Sequence, residues 1–327
     1  MSIRLRRREF IAALGGAAAW PVTMRAQQPA IPIIGFLGAR SASADANYIE
    51  AFRQGLSENG FTVGRNVQIE FRWADGLVDP LPALAAELVR RRVNLIVCAG
   101  GNAAPAAKAA TATIPIVFST GGDPVKIGLV ASLNRPGGNL TGVTTLLREL
   151  NAKRLGLLVD VVPKVTTIAY LVNPNAPDID SQTADVQETA RTIGRELFVS
   201  NVHSERDLQE SFATMMQHGS GALLVGAGIP VRFGLLTALA IRHGLPALYP
   251  VREFATIGGL ICYGASFTAM YHQVGIYAGR ILKGANPADL PVMQPTKFEF
   301  VINLNTAKAL GITIPAGVLA IADEIIE

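Results

Sequence analysis

Short apolar runs that alternate with amphipathic segments are the feature that most limits how this chain can fold. Runs of apolar and β-branched residues, such as Ile31–Leu37 and Ile114–Ser119, are separated by segments such as Leu81–Arg92, whose apolar residues recur at helical spacing. Short buried strands that alternate with helices are typical of βαβ units, in which the strands form a parallel sheet. The pattern therefore predicts an α/β protein.

The alternation occurs in two successive series, which predicts two lobes. The first series ends near residue 145, and the second runs from a strand at Thr167–Asn173 to a strand at Gly259–Tyr263. Two further helices are predicted at Val125–Leu133, within the first series, and at Arg148–Val161, between the two series.

The end of the chain is expected to connect the two lobes again. A helix predicted at Thr268–Lys283 returns to the first lobe, and a strand at Phe298–Asn303 and a short terminal helix follow it. Several crossings between two lobes form a hinge. The predicted fold is two Rossmann-like lobes with parallel sheets joined by a multi-strand hinge. The first lobe takes in 27–146 and about 266–296, and the second takes in 147–265 and about 297–327.

The first 26 residues have the pattern of a leader that directs export. A run typical of a twin-arginine signal, Arg6-Arg7-Arg8-Glu9-Phe10, leads into an apolar stretch that ends at Val22, and the small residue Ala26 precedes Gln27. We therefore expect a twin-arginine signal peptide over 1–26 and a periplasmic product, with an ordinary N-terminal amphipathic helix as the alternative. No later segment of the sequence is long and apolar enough to predict a membrane anchor.

The net charge of the chain, +4, comes from this predicted leader. Its five arginines and one glutamate leave 24 basic and 24 acidic residues in the remainder. A chain without a basic stripe lacks the electrostatic footprint that a nucleic-acid backbone requires. We therefore expect no nucleic-acid partner.

The turns that follow the predicted strands carry residues suited to binding a small molecule. In open parallel sheets, ligands bind beyond the carboxyl ends of the strands, where N–H groups at helix starts attract anions and side-chain amides both donate and accept. The candidate ligand-binding residues are Ser41, Gly101, Asn102, Thr120, Asp123, Asn173, Asn175, Asp178, Gly226 and Tyr263.

Each candidate also has a purely structural interpretation. Ser, Asn and Asp are common helix N-caps, and Gly is the usual turn residue. Tyr263 either stacks on a planar ligand or packs in the core. The occurrence of such residues at the same strand ends in both series favours a binding role for the group.

Motifs for catalysis, cofactors and metals are missing from the sequence. It contains no dinucleotide-binding glycine fingerprint, no phosphate-binding loop and no nucleophile elbow. The 4 histidines lie on or beside different predicted helices without metal-ligand spacing. We therefore expect a binding protein without a cofactor rather than an enzyme.

Cys98 and Cys262 lie in apolar runs, which favours two buried thiols and leaves a disulfide open.

Several runs of the sequence carry a resemblance to a known family. They are Ile34-Gly35-Phe36-Leu37, Arg135-Pro136-Gly137-Gly138-Asn139-Leu140-Thr141-Gly142, Leu171-Val172-Asn173-Pro174-Asn175, Gly258-Gly259-Leu260-Ile261-Cys262-Tyr263-Gly264 and Thr306-Ala307-Lys308-Ala309-Leu310-Gly311. On these motifs the chain resembles, over essentially its whole length, the ABC-transporter substrate-binding proteins related to the tryptophan/tyrosine-binding proteins, which have the type I periplasmic-binding fold.

The resemblance implies a receptor that captures a small organic solute, either amino acid-like or an aromatic or carboxylate compound, and we expect this receptor to be a monomer. The receptor would pass this solute to an inner-membrane ABC permease driven by a cytoplasmic ATPase. The implied cleft is lined by Ser41, Gly101, Asn102, Asp123, Asn173, Asn175 and Tyr263.

One residue departs from the family pattern. Arg40 stands where the family usually has a small or amide residue, so that its cation either favours an anionic ligand or points to solvent. The alternative functions are a sensory co-receptor, since the same fold serves both roles, and an exported α/β hydrolase, which the missing catalytic motifs disfavour.

Overall fold

The computed structural model describes residues 31–145, 150–176, 179–294 and 298–327. Within this part of the chain, Pro32–Glu327 form one compact unit. The predicted leader over 1–26 and the candidate residue Asp178 lie outside the described residues.

The first sheet has five parallel strands, β1 Ile33–Gly38, β2 Gln68–Trp73, β3 Leu95–Ala99, β4 Ile116–Thr120 and β5 Leu140–Thr144, with helices α1 Ala46–Glu58, α2 Leu81–Arg90 and α3 Ala103–Ala110 between them. Their order in the sheet is β2-β1-β3-β4-β5. The inner strands are almost fully buried because helices cover both faces of the sheet, whereas the edge strand β2 is only half-buried.

The second sheet has seven strands, β6 Thr167–Val172, β7 Glu196–Asn201, β8 Ala222–Val225, β9 Ala247–Tyr249, β10 Ile261–Ala265, β11 Phe298–Asn303 and β12 Glu324–Ile326. Their order in the sheet is β12-β11-β10-β9-β8-β6-β7. The helices of this part and of the crossings are α4 Asn151–Val161, α5 Ile179–Thr192, α6 Glu205–Gln217, α7 Phe233–Arg242, α8 Glu253–Thr256, α9 Phe267–Leu282, α10 Leu304–Ala309 and α11 Ala316–Leu319. The predicted α/β fold with parallel sheets in two lobes is confirmed. We call the parts built on the first and the second sheet the first and the second lobe.

Strand β11 is the exception to the parallel arrangement, since it runs antiparallel to β10, with Ala265 opposite Phe298. The chain leaves the second lobe at the end of β10 and re-enters it at the same end. The returning strand therefore runs in the opposite direction.

The structure corrects one predicted helix. The segment Val125–Leu133 forms a series of turns, in which the N–H groups of Leu129 and Val130 both donate to the carbonyl of Pro124. Gly128 has a φ of 69°, a left-handed conformation that ends any helical run. The strand β12 and the helix α8 were not predicted, because elements of three and four residues are too short to show a periodicity.

The chain passes between the two sheets at three places: between Thr145 and Leu150, between Ala265 and Phe267, and between Met293 and Phe298. Met293 lies beside β5, where its N–H donates to the carbonyl of Gly142 at 3.0 Å. Helix α9 therefore lies in a segment that enters from the second sheet and leaves along the first.

Helix α9 packs directly on α1 in the core of the first lobe. Glycines make this approach possible: a Cβ on Gly55 would overlap the carbonyl oxygen of His272, and a Cβ on Gly275 would overlap that of Phe52. The two helices therefore meet backbone to backbone.

The numerical boundaries of the two lobes stay a prediction. Among the described residues, no helix combines the length and the apolar character needed to cross a membrane.

Candidate functional site

The carboxyl ends of the first-sheet strands lie together at one edge. The N–H of Ala39, which follows β1, donates to the carbonyl of Ala99 at the end of β3 at 2.9 Å. The N–H of Thr145, which follows β5, donates to the carbonyl of Thr120 at the end of β4, also at 2.9 Å. The turns after these strands are therefore neighbours, as the parallel topology requires.

Three of the predicted first-lobe residues close their own turns. Ser41 Oγ accepts a hydrogen bond from the N–H of Ala44 at 3.4 Å. Thr120, which is buried, accepts one from the N–H of Gly122 at 3.2 Å. Asp123 Oδ1 accepts from the backbone N–H groups of the two residues after Pro124, at 2.8 and 3.3 Å. The structure thus gives these side chains a capping role.

Asn102 differs from these three residues. It occupies the N-cap position of α3 but makes no side-chain capping bond, and its amide has no hydrogen-bond partner in the described part of the chain. Asn102 and its neighbour Gly101 are both half-buried at the carboxyl edge of the first sheet. Asn102 therefore has an unused amide that is able to donate and accept.

In the second lobe, Asn173 joins two turns. Its Nδ2 donates to the carbonyl of Gly228 in the turn after β8 at 2.9 Å, and its Oδ1 accepts from the N–H of Asn175 at 3.0 Å. Gly226 begins the turn after β8, and a Cβ there would lie 2.9 Å from the carbonyl oxygen of Leu171. The close approach of β6 and β8 at this edge therefore favours glycine.

Tyr263 packs against aromatic neighbours within the second lobe. Its side chain is buried, its ring stacks on that of Phe298 with centroids 6.1 Å apart, and the Lys153 ammonium is 4.5 Å from its ring centroid. These residues line part of a groove of about 490 Å³ between α4 and strands β10 and β11. The structure therefore places Tyr263 in the packing of the second lobe.

Arg40 is paired within the first lobe. Its guanidinium donates to the buried carboxylate of Asp45 and lies 5.1 Å from the ring centroid of Tyr48. Burial by itself would lower the pKa of Arg40, but the carboxylate of Asp45, together with Tyr271 and Tyr48, outweighs it and raises this pKa above its ordinary value. The charge of Arg40 is therefore balanced by Asp45, which removes the basis for the predicted preference for an anionic ligand.

An aromatic cluster surrounds Tyr48. Tyr271 of α9 stacks on its ring with centroids 5.1 Å apart, and Phe267 packs edge-on at 5.7 Å. Phe267 also contacts the hydrophobic cores of both lobes. Burial, with a smaller contribution from the carboxylate of Glu253 in α8 of the second lobe, raises the pKa of Tyr48, so its hydroxyl stays protonated.

A second polar cluster lies under the carboxyl edge of the second sheet. Asn151 at the start of α4 donates from Nδ2 to the hydroxyl of Tyr170 at 2.8 Å, while its buried Oδ1 has no partner among the described residues. The buried guanidinium of Arg154 donates from Nη1 to the carbonyl of Val225 at 3.4 Å. Burial lowers the pKa of Arg154 to about 10, so it remains charged at neutral pH.

These two clusters were missed from the sequence. Tyr48 and Tyr271 occupy apolar positions of their helices and are consistent with ordinary core residues there. The only available sign was Arg154, a charged residue one position before the buried Leu155 on the inner face of α4. Its burial is costly without polar partners, so its position was a sign of a polar site.

The arrangement is suited to binding rather than to catalysis. In the described part of the chain, no three His, Cys, Asp or Glu side chains come together as metal ligands. Cys98 and Cys262 are free, buried and on different sheets, so they do not form a disulfide with each other. The site consists of amide, hydroxyl, aromatic and paired charged groups, which recognise a small polar molecule by hydrogen bonds and shape.

Comparison with known proteins agrees with this description. Residues 38–326 match the family model described as ABC transporter substrate binding protein. A tyrosine-binding protein of Clostridioides difficile (strain R20291) is 25% identical over 266 residues, which cover 80% of this chain and 75% of that protein.

Two solved structures are also similar. The structure of an ABC domain in complex with L-Trp from Streptococcus pneumonia superposes with a TM-score of 0.80 at 25% identity, covering 90% of this chain and 99% of the other. The ligand-free, open structure of a substrate binding protein with adhesive properties from Clostridium difficile gives a TM-score of 0.64 at 23% identity, covering 91% and 99%.

The type I periplasmic-binding architecture and the expectation of a non-enzymatic protein are therefore both confirmed. Because the family model matches nearly the whole described chain, this protein belongs to the ABC transporter substrate-binding protein family.

Proposed function

We propose that this chain is the periplasmic substrate-binding component of an ABC importer and captures a small amino acid-like solute by closure of its hinge. The observation that carries the proposal is that polar turns lie at the carboxyl edges of both sheets, with Asn102 on the first and Asn173 on the second. Phe267, which begins helix α9 beside one of the three crossings, packs against the hydrophobic cores of both lobes.

The similarity to the two solved structures supports a closed arrangement. The chain superposes better on the L-Trp complex, at a TM-score of 0.80, than on the ligand-free, open structure, at 0.64, although the sequence identities are nearly equal. A different angle between two lobes lowers the TM-score of a global superposition while leaving the structure of each lobe unchanged. Ligand contacts made only when both lobes approach would shift the population towards the closed form.

The relatives support the class of ligand. One of them is named for tyrosine and another was solved with L-Trp, so an aromatic amino acid is the first class to test for this chain. The unused amide of Asn102 and the amide of Asn173 lie on the carboxyl edges of the two different sheets. Among the predicted residues, these two are the ones we propose to contact the ligand directly.

The remaining parts of the proposal concern location and partners. Export through the twin-arginine pattern of residues 1–26 would deliver a folded, monomeric receptor to the periplasm. There it would pass its ligand to an inner-membrane permease of the ABC type. A reporter fused after residue 26 should reach the periplasm, and replacing Arg7 and Arg8 by Lys should retain it in the cytoplasm.

The experiment that tests ligand capture is native mass spectrometry of the protein as purified, followed by thermal unfolding with L-tyrosine and L-tryptophan. A ligand at a hundred times its Kd stabilises the folded state by about 2.7 kcal/mol, which is readily seen as a rise in Tm. Small-angle scattering should show a smaller radius of gyration in the presence of the same ligand. Recovery of chemically altered ligand would contradict the proposal and indicate an enzyme instead.

A further inference from the structure

The crossing between Ala265 and Phe267 is the shortest of the three, because Ser266 alone separates strand β10 from helix α9. Ser266 also caps the helix. Its Oγ accepts a hydrogen bond from the N–H of Ala269 at 3.3 Å, and its carbonyl accepts one from the N–H of Met270 at 3.0 Å. The first turn of α9 is therefore fixed to this connection, and a rotation between the lobes turns it directly relative to β10.

Helix α9 and the segment that follows it are bound to the first lobe along their length. The helix meets α1 backbone to backbone at Gly55 and Gly275. After the helix, the hydroxyl of Thr141 in β5 donates to the carbonyl of Leu290 at 2.7 Å. A helix held this closely moves with the first lobe, so that the boundary between the two moving bodies lies at its start.

Phe267 occupies this boundary. Among the hydrophobic side chains that the structure describes, it is the one that packs against the cores of both lobes. On the first-lobe side its ring meets that of Tyr48 edge-on with centroids 5.7 Å apart, and Tyr48 in turn stacks on Tyr271 of the same helix. On the second-lobe side it packs against the core that includes Val225 and Tyr249. The ring is therefore shared between the two bodies that closure of a hinge would move.

We propose that Phe267 is the positioning residue of the hinge, whose ring holds the two lobes in the closed arrangement and thereby sets the affinity for the ligand. This inference rests on the proposed function, in which the lobes close on a solute. Opening separates the ring from the second-lobe core, and a gap of about 0.5–1 Å already removes about a quarter to a half of the contact energy. The contact with Tyr48 remains in both arrangements, because α9 moves with the first lobe.

The consequence for binding is quantitative. A protein whose binding-competent form is only partly populated binds with a Kd equal to the intrinsic Kd divided by that population. Removing the ring of Phe267 should lower the closed fraction of the ligand-free protein and raise the Kd by the same factor, about five- to tenfold. The distance between the lobes at saturating ligand should stay as it is in the wild type, since the ligand still selects the closed form.

The distance between the two lobes measures the closed fraction. Asp79 and His203 are exposed beyond the carboxyl ends of β2 and β7, one in each lobe. The double variant Asp79→Cys/His203→Cys takes a pair of spin labels, because the native thiols of Cys98 and Cys262 are buried. Double electron–electron resonance of the exported form, without ligand and with saturating L-tyrosine, gives the populations, and isothermal titration with L-tyrosine gives the Kd.

Phe267→Ala in this labelled background should shift the ligand-free distances towards the open form. Phe267→Leu keeps an apolar side chain and should shift them less, which maintains the test if the alanine variant does not fold. The matched control is Phe61→Ala, because Phe61 is also half-buried but packs against the first-lobe core alone. The control should lower Tm without changing the distances or the Kd.

The outcomes separate this inference from the proposed function. Ligand-free distances in Phe267→Ala that equal those of the wild type, or an equal shift in Phe61→Ala, would overturn the inference, and a raised Kd with unchanged distances would make Phe267 a ligand contact instead. If every variant shows one fixed distance while L-tyrosine binds, the hinge closure of the proposed function fails as well. If L-tyrosine does not bind, the ligand class is wrong, and the ligand-free distances still decide the role of Phe267.

Discussion

The carboxyl edges of the two lobes use the same kinds of residue in different ways. In the first lobe the polar side chains are largely consumed within the lobe, since Asp123 and Thr120 cap turns and Arg40 is paired with Asp45. In the second lobe, the buried Oδ1 of Asn151 remains without a partner among the described residues. The comparison indicates that the first lobe is the more rigid platform, with the unused amide of Asn102 as its exception.

Helix packing shows the same contrast. In the first lobe, α1 and α9 meet at Gly55 and Gly275 with no room for a side chain. In the second lobe, the glycine of α4, Gly156, has no heavy atom within 4 Å of a Cβ built on it. The platform is therefore tightly packed at the helix that returns from the other lobe, whereas α4 tolerates added volume.

The largest expected effect comes from substituting these glycines. Gly275→Ala should destabilise the protein by about 3 kcal/mol, because the added methyl group must separate two helix backbones. Gly156→Ala, as the matched control, should stabilise it by about 0.5–1 kcal/mol, since alanine is the better helix former at an open position. Chemical denaturation measures both. Equal effects of the two substitutions would show that α9 does not hold the first lobe together.

A smaller effect is expected from the two turn residues at the edges. Asp123→Ala removes a cap and should cost about 1 kcal/mol of stability with little change in ligand affinity. Asn173→Ala should cost a similar amount through the lost bond to Gly228 but should also weaken L-tyrosine binding by about tenfold. Denaturation and titration of both variants test the division of roles. The reverse pattern, with affinity lost only in Asp123→Ala, would assign discrimination to the first lobe.

The loss of stability in acid should be a smaller effect than those above, and the two lobes should contribute to it alike. The hydrogen bond from Arg91 holds the pKa of Glu70 below its ordinary value, and that from Arg232 does the same for Glu205. A carboxylate whose pKa is lowered in the folded protein stabilises the fold when the pH is above its ordinary pKa, here 4.5. This contribution is lost as the pH falls through the lowered pKa. When the pH falls from about 5 to about 3, the variants Glu70→Gln and Glu205→Gln should therefore each lose slightly less stability than the wild type.

The smallest effect concerns the thiols. Burial raises the pKa of both Cys98 and Cys262, and they lie on different sheets. A thiol reagent should therefore leave the folded protein unmodified and react with both cysteines after denaturation, and a reductant should not change Tm. A drop in Tm on reduction would require a disulfide and would contradict the separation of the two strands.

Local patterns predicted most of the fold. The alternation of buried strands and helices is visible within ten to fifteen residues, so the order of the elements and the strand-end turns were available from the sequence. The turn series at Val125–Leu133 was missed, because its apolar residues resemble a helix while Pro124 and Gly128 direct the backbone otherwise. Tyr263 was predicted at the right strand, but the sequence did not show which face of the sheet it occupies.

The sequence by itself determined the α/β class, the two series and the glycine-rich and amide-rich turns, because periodicity and turn chemistry act between neighbouring residues. Only the tertiary structure decided that Arg40 is paired with Asp45 and that Tyr271 stacks on Tyr48. Tyr48 and Tyr271 lie more than two hundred residues apart in the sequence, and they meet only because α9 returns from the second lobe to the first. The charge of a site depends on which groups end up side by side, and no local pattern carries that information.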